Sequence, residues 1–195
     1  MSKKYYCFFG GLLKLQEHWL NKMSEKGWRL VRTGKMLYEF EECNPDEVTY
    51  CVEFIGQKSK DGATDYHDFL EEMDYKVFYK NMNLNVSLGK MRWRPWAEKG
   101  GRIAANDTTF NRELMIVEKV NDGKPFELHT SYEDKEAYYR NLRNPWLLIL
   151  FMFAAVMLVN GSIVFGVLAL ASLIPVLVYQ RQVMQNRREA KTKEW

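Results

Sequence analysis

Residues 145–180 form a run of thirty-six positions without a single charged side chain. As one straight helix they would be about 54 Å long, against a bilayer hydrocarbon core of about 30 Å. A polar break, Asn160-Gly161-Ser162, divides the run into residues 145–159 and 163–179. Both halves are apolar on every side, as lipid-facing helices are. Asn-Gly is a strong turn dipeptide, because both residues tolerate positive φ. The pattern therefore predicts a transmembrane helical hairpin with its tight turn at the far face. The tripeptide also spells an N-glycosylation acceptor, but a turn pressed against the bilayer is the simpler reading. Trp146 and Tyr179 stand where interfacial anchors belong. Pro175 is expected to kink the second helix, with Ser172 covering a freed carbonyl.

Upstream, the pattern alternates between strand and helix and is written twice. "KYYCFFGG" reads as an apolar strand and "LQEHWLNKMSEKG" as an amphipathic helix with Leu15, Trp19, Leu20 and Met23 on one stripe and Gly27 as its left-handed cap. "WRLVR" and "KMLYEFEE" follow as two strands turning at Thr33-Gly34, with Met36, Tyr38 and Phe40 on one face. The second copy runs "VTYCVEFIG", a polar loop "QKSKDGAT", the helix "DYHDFLEEM", then "YKVFYKN" and "LGKMRWRPW". Its Tyr50-Cys51 pair, Leu70, Met73 and Gly89-Lys90-Met91 echo residues of the first copy. Two such units predict an α+β fold: tandem βαββ repeats forming an antiparallel sheet with both helices on one face. An unrepeated insert then supplies a hairpin, "ELMIVEKV" and "PFELHTS", turning at residues 121–124. A stalk helix, opened by a Thr130/Glu133 capping box and closed at Asn144-Pro145, leads to the membrane. The expected divisions are residues 1–97, 98–144, 145–180 and 181–195.

Charge changes the picture only once it is divided. The chain carries a formal +3. Residues 181–195 hold five cations and two anions, which leaves residues 1–144 with 23 of each sign. A domain without a net positive field argues against nucleic acid as a partner. The basic tail suits the anionic lipids of an inner leaflet. With Arg140 and Arg143 before the first span and five cations after the second, the positive-inside bias places both termini in the cytoplasm. The N-terminus has only a broken apolar stretch and is no signal peptide. Cys7, Cys43 and Cys51 show no metal spacing and read as free thiols.

The stretch "EHWLNKMSEKGWRLVRTGKMLYEFEECNPDEVTYCVEF" resembles the domain of unknown function 2812 family. The likeness is carried by Trp19, Leu20, Met23, Gly27, Trp28, Leu30, Tyr38, Phe40, Tyr50 and Phe54, and it covers roughly residues 3–95. That resemblance implies a C-terminal pair of membrane helices and a Gram-positive source. It also implies a PadR-type transcriptional regulator as a possible partner. It implies no catalytic residue, because the family has no assigned activity. The tandem layout is also similar to GyrI-like domains, which bind small hydrophobic molecules between two repeats; that likeness is one of fold alone.

Candidate chemistry is sparse. No zinc-protease helix, phosphate-binding loop or nucleophile elbow occurs, so no catalytic residue, metal or cofactor is expected. In "DYHDFLEE", His67 and Glu71 share a helix face while Asp68 is expected to point elsewhere, the mark of a solvated surface. The unusual segment is "GKMRWRPWAEKGGR", where Lys90, Arg92, Arg94, Lys99 and Arg102 against Glu98 give a local +4 around Trp93 and Trp96. Strand alternation would put Arg92 and Arg94 on a polar face and Trp93 in the core. Arg92, Trp93, Arg94 and Trp96, with Trp28 and Tyr38, are the expected contacts for a small hydrophobic or anionic ligand. The functional expectation is a membrane-anchored cytoplasmic binding or sensor module, regulatory in role. The alternatives are an accessory subunit that docks on a larger membrane complex and, third, an enzyme without a recognisable motif.

Overall fold

The computed structural model describes residues 2–84, 86–88, 91–97, 103–104, 112–128 and 132–193. The fold is α+β, with small antiparallel sheets and four helices, the last two long and apolar. It divides into two compact units, residues 1–94 with 99–128, and residues 95–98 with 129–195.

The first unit opens with β1 (Ser2–Tyr6), α1 (Leu13–Glu25), β2 (Trp28–Thr33) and β3 (Leu37–Glu42), the strands lying in the order β1-β3-β2. Helix α1 buries Leu13, Gln16, Leu20, Met23 and Ser24, a stripe spaced three and four residues apart. It stops at Gly27, whose φ of +76° is left-handed and whose absent Cβ would lie 2.9 Å from the Cys43 carbonyl oxygen. Around Trp19 the rings of Tyr5, Phe9, Tyr38 and Phe40 stand at centroid distances of 5.0 to 6.1 Å, mostly edge to face. Tyr38 and Phe40 are buried as alternation requires, but Met36 lies before the strand in the turn and is 42 % exposed.

The second copy keeps the same strand order with a different last strand. β4 (Val48–Phe54), α2 (Lys60–Glu72) and β5 (Lys76–Lys80) are followed by β9 (Leu114–Val120), which pairs with both in the order β4-β9-β5. The segment expected to supply this strand instead makes a separate small sheet, β6 (Val86–Leu88), β7 (Met91–Trp93) and β8 (Ile103–Ala104). The echo of Gly34-Lys35-Met36 in residues 89–91 therefore marks no equivalent strand. Nor does "PFELHTS" pair with β9: residues 125–128 form no strand, residues 129–131 lie outside the described residues, and Phe126 and Leu128 pack on the core of Ile55, Ala63, Leu70, Met115 and Val117. The turn at residues 121–124 is present, with Gly123 at φ +72° and its N–H donating to Asn121 Oδ1. α2 begins at Lys60, five residues before the expected Asp65, because the Ser59 hydroxyl accepts from the Gly62 N–H and caps the helix inside the expected loop.

The two sheets are joined by side chains instead of a ladder. β4 is an edge strand, and α1 covers its open edge in antiparallel sense. Asn21 Oδ1 accepts from the Tyr50 N–H at 2.7 Å, and Asn21 Nδ2 donates to the Tyr50 carbonyl at 3.0 Å. Glu17 accepts from the Val52 N–H, and the Ser24 hydroxyl donates to the Val48 carbonyl. Glu17, Asn21 and Ser24 share one helix face, matching the every-second-residue period of outward backbone groups at Val48, Tyr50 and Val52. A helix thus does for β4 what another strand would do, and the edge is closed to further pairing.

The second unit is a helical hairpin, α3 (Tyr132–Asn160) and α4 (Ile163–Lys193). At 1.5 Å per residue these are about 44 and 46 Å long, enough to cross a bilayer and project beyond it. The expected stop at Asn144-Pro145 does not occur: α3 runs through Pro145, which costs one backbone donor without ending the helix. Nor is the basic tail separate, since α4 continues to Lys193. Asn160 ends α3, and Gly161, at φ +63°, and Ser162 make the break, the Gly161 N–H donating to the Met157 carbonyl. On α4, Ala169, Ser172, Val176, Tyr179, Val183 and Asn186 are buried at alternating spacings of three and four, the seam of a two-helix contact. Tyr179 is therefore a packing residue of this seam (6 % exposed) and not an outward anchor, whereas Trp146 is half-buried. Gly166 lets Met157 approach closely, as a Cβ there would meet its Sδ at 2.9 Å. Pro175 lies inside α4, and Ser172 Oγ donates to the Ala169 carbonyl, two residues before the Ala171 carbonyl that the proline leaves free, so the expected cover does not form.

Candidate functional site

The clearest concentration of buried polar chemistry surrounds Lys80, the last residue of β5. Its position in the strand turns the side chain inward, and it is 3 % exposed. The ammonium donates to the carbonyls of Gly34 (2.5 Å), Lys35 (2.8 Å) and Leu37 (3.5 Å), and lies 4.2 Å from the Tyr38 ring centroid. Asn83 Nδ2 donates to the same Lys35 carbonyl. The turn between β2 and β3 is thereby clamped from β5 and the residues after it. Burial pulls the Lys80 pKa down to about 8, opposed by the neighbouring Cys7. Burial also raises the Cys7 thiol, with Lys80 opposing.

A hollow opens beside this clamp, lined by Cys7, Gly10, Gln16, Tyr38, Lys80 and Asn83 among others. Gln16 is 1 % exposed and its Nε2 has no hydrogen-bond partner; the same is true of Asn83 Oδ1. One donor and one acceptor suit a bridging water, and the hollow has room for about one. It could not enclose an organic ligand, which needs several hundred Å³.

The second polar cluster joins the sheets. Glu118 on β9 is 2 % exposed and accepts from Arg29 Nε at 2.8 Å and Nη2 at 2.6 Å. Its other oxygen accepts from the Tyr50 hydroxyl at 2.8 Å, and that hydroxyl accepts from the Leu30 N–H. Burial, then the charge of Glu118, drives the Tyr50 pKa far up, while the bond to Glu118 raises that of Arg29. A neutral phenol on one carboxylate oxygen and two guanidinium N–H groups on the other form a strut between β2 and β9.

The residues expected to hold a ligand are dispersed. Trp93 is 49 % exposed instead of core, and Arg94, expected on a polar face, is 2 % exposed. The alternation fails because β7 ends at Trp93 and Arg94 is no longer in strand geometry. Burial lowers the Arg94 pKa, and Glu113 offsets part of that. Trp96 is buried in the helical unit, while Trp28 is half-buried under the Lys3 ammonium at 3.9 Å. Of the five whose side chains are described, Tyr38 alone borders the hollow. The side chain of Arg92, with Lys90, Lys99 and Arg102, lies outside the described residues. Asp68 does reach His67, at 3.3 Å, and Glu71 stands 3.5 Å from the other ring nitrogen, since a short side chain one residue on bends back to Nδ1. The two carboxylates are exposed, while His67 is largely covered, its ring stacked on Tyr79.

The family model of "Protein of unknown function (DUF2812)" matches residues 13–151. This chain belongs to that family. No curated protein and no solved structure matches it. The match reaches from α1 through both sheets and into the apolar part of α3, so DUF2812 takes in the αβ unit and the start of the hairpin together. Gln16, Lys80, Asn83 and Glu118 are polar residues that sequence reasoning passed over, and Tyr50 entered it only as a repeat and family-motif residue. The available signal was a charged residue inside an apolar strand, Lys80 in "KVFYK" and Glu118 in "LMIVEKV".

Proposed function

We propose that this DUF2812 chain is a membrane-anchored docking module. A two-span hairpin holds the αβ unit at the cytoplasmic face of the cell membrane, where the unit recruits or sequesters a protein partner in a regulatory role. A PadR-type regulator is the partner that the family resemblance brings forward. The observation that carries the reading is the exposure of α3 and α4: only 6 % and 22 % of their apolar stretches are buried. A core helix of a soluble protein is mostly covered, so the exposure supports lipid as the cover for these surfaces. Flanking Arg140, Arg143, Arg181, Arg187 and Arg188 support a cytoplasmic placement of both ends.

The test combines extraction and topology. The full chain should stay in the membrane pellet in alkaline carbonate. Reporters fused at residues 1 and 195 should read cytoplasmic, and a tag at Gly161 should read outside. A carbonate-soluble chain would end the membrane reading, and a C-terminus on the far side would replace the hairpin with a single crossing. Co-purification then separates the two docking modes: a partner that follows residues 1–131 into the soluble fraction docks through the αβ unit, and one that co-purifies only with the full chain in mild detergent docks through the hairpin.

A further inference from the structure

Helix α2 turns an acidic face outward. Residues 61–74 hold six carboxylates and no lysine or arginine. Asp65, Phe69 and Glu72 follow one another at spacings of four and three, so they share one side of the helix, opposite the buried Ala63 and Leu70. Phe69 is 51 % exposed. Asp68 and Glu71 stand against the His67 ring, but Asp65 and Glu72 make no ion pair among the described residues. The far end of α4 carries the opposite pattern. Residues 181–193 lie beyond the apolar run, extend about 20 Å, and hold five cations against one anion. Arg181, Met184 and Arg188, at spacings of three and four, are exposed on the side away from the buried Val183 and Asn186. Met184 is 46 % exposed, and neither arginine makes an ion pair among the described residues. Each helix thus shows an apolar residue between two like charges over about 10 Å, acidic on α2 and basic on α4.

We infer that these two faces cover each other between copies: the acidic face of α2 docks the basic end of α4 from a second copy of this chain. Charge selects the occupant. Anionic headgroups suit the end of α4 but are repelled by α2, whereas a second copy satisfies both faces at once. Surface ion pairs are individually weak, so the contact also needs the apolar pair Phe69–Met184 and confinement of both copies to one membrane, which raises their effective concentration. For that confinement the inference rests on the membrane reading above.

Two differently tagged forms of the full chain, one Phe69→Cys and the other Met184→Cys, are co-expressed and oxidised in the membrane with copper phenanthroline. The mixed pair should give a disulfide-linked dimer at least about fivefold above the unsubstituted chain and above either variant paired with itself. Asp65→Arg/Glu72→Arg in the first form, or Arg181→Glu/Arg188→Glu in the second, should return the yield to background. Both reversals together should restore it, with the circular dichroism spectrum unchanged throughout. A mixed pair at background overturns the inference. So does a double reversal that fails to restore the dimer, which would leave the end of α4 to lipid headgroups. Chains missing from the membrane pellet would instead overturn the membrane reading.

Discussion

Replacing Asn21 with alanine tests whether α1 serves as a surrogate strand or only as an apolar cover. Asn21 holds both backbone groups of Tyr50, the N–H at 2.7 Å and the carbonyl at 3.0 Å, and Tyr50 is 1 % exposed. Without the amide, two backbone groups at a covered edge lose their partners, at about 1–3 kcal/mol each. Because the site is only partly buried, water relieves some of this, and the expected loss is about 2–4 kcal/mol. The cost falls on the α1–β4 contact, whereas β9 continues to pair with β4 on its other side. Hydrogen exchange of the full chain in detergent, read on the peptide covering residues 48–54, should therefore accelerate by about 30- to 1,000-fold, and β5 peptides much less. Asn21→Asp keeps the acceptor for the Tyr50 N–H but loses the donor, so it should fall between wild type and alanine. If the Asn21→Ala chain is folded and its 48–54 peptide exchanges at the wild-type rate, the edge-capping account is wrong and α1 is held by Leu20 and Met23 alone.

Trp19→Ala should cost about 3–5 kcal/mol, because four rings lose their common neighbour; denaturant midpoints by circular dichroism measure this. Lys80 makes a signed pH prediction. Its folded pKa of about 8 lies below the ordinary 10.5, so above pH 8 the unfolded chain binds the extra proton and stability rises with pH. From pH 8 to 9 the gain should be about 1 kcal/mol. That figure is the Lys80 share alone, because over the same range Cys51, pushed up to about 12 by burial and then by Glu17, and the raised thiols of Cys7 and Cys43 work in the opposite sense. Lys80→Met should flatten the slope between pH 8 and 9, and an unchanged slope in that variant would assign it to another group.

How much of this was legible depends on whether the partner of each residue is near in sequence. The charge-free helices, the Asn160-Gly161-Ser162 break, α1 and the β2–β3 pair all follow from local spacing, and each matches what a period of 3.6 or 2 reports. The identity of the strand closing the second repeat does not. β9 pairs with β5 across more than thirty intervening residues, and "ELMIVEKV" looks equally suited to a nearby hairpin. Pro145 misled for a related reason: the residue before proline avoids helical geometry on average, but continuity with an apolar helix on one side and an amphipathic one on the other outweighs a single lost donor.

The candidate site was the least legible part, and the cause is physical. Periodicity reports which face of an element is covered, not what covers it. Trp93 and Arg94 differ by one residue, yet the strand ends between them, and the burial that alternation would assign to the tryptophan goes to the arginine. Lys80, Asn21 and Glu118 each satisfy backbone or charged groups of a distant segment, so their value lies in pairs that no local window contains. These bonds also explain why the two sheets stay separate. The outward edge of β2 meets the Tyr50 hydroxyl and that of β4 meets α1, leaving neither edge available for a further strand. A docking partner of the kind proposed would meet closed edges at β2 and β4 and would rely on other surfaces of the αβ unit. For that reason the exposed positions of α2, Asp65, Phe69 and Glu72 foremost, are the ones whose substitution should change binding while leaving the fold intact.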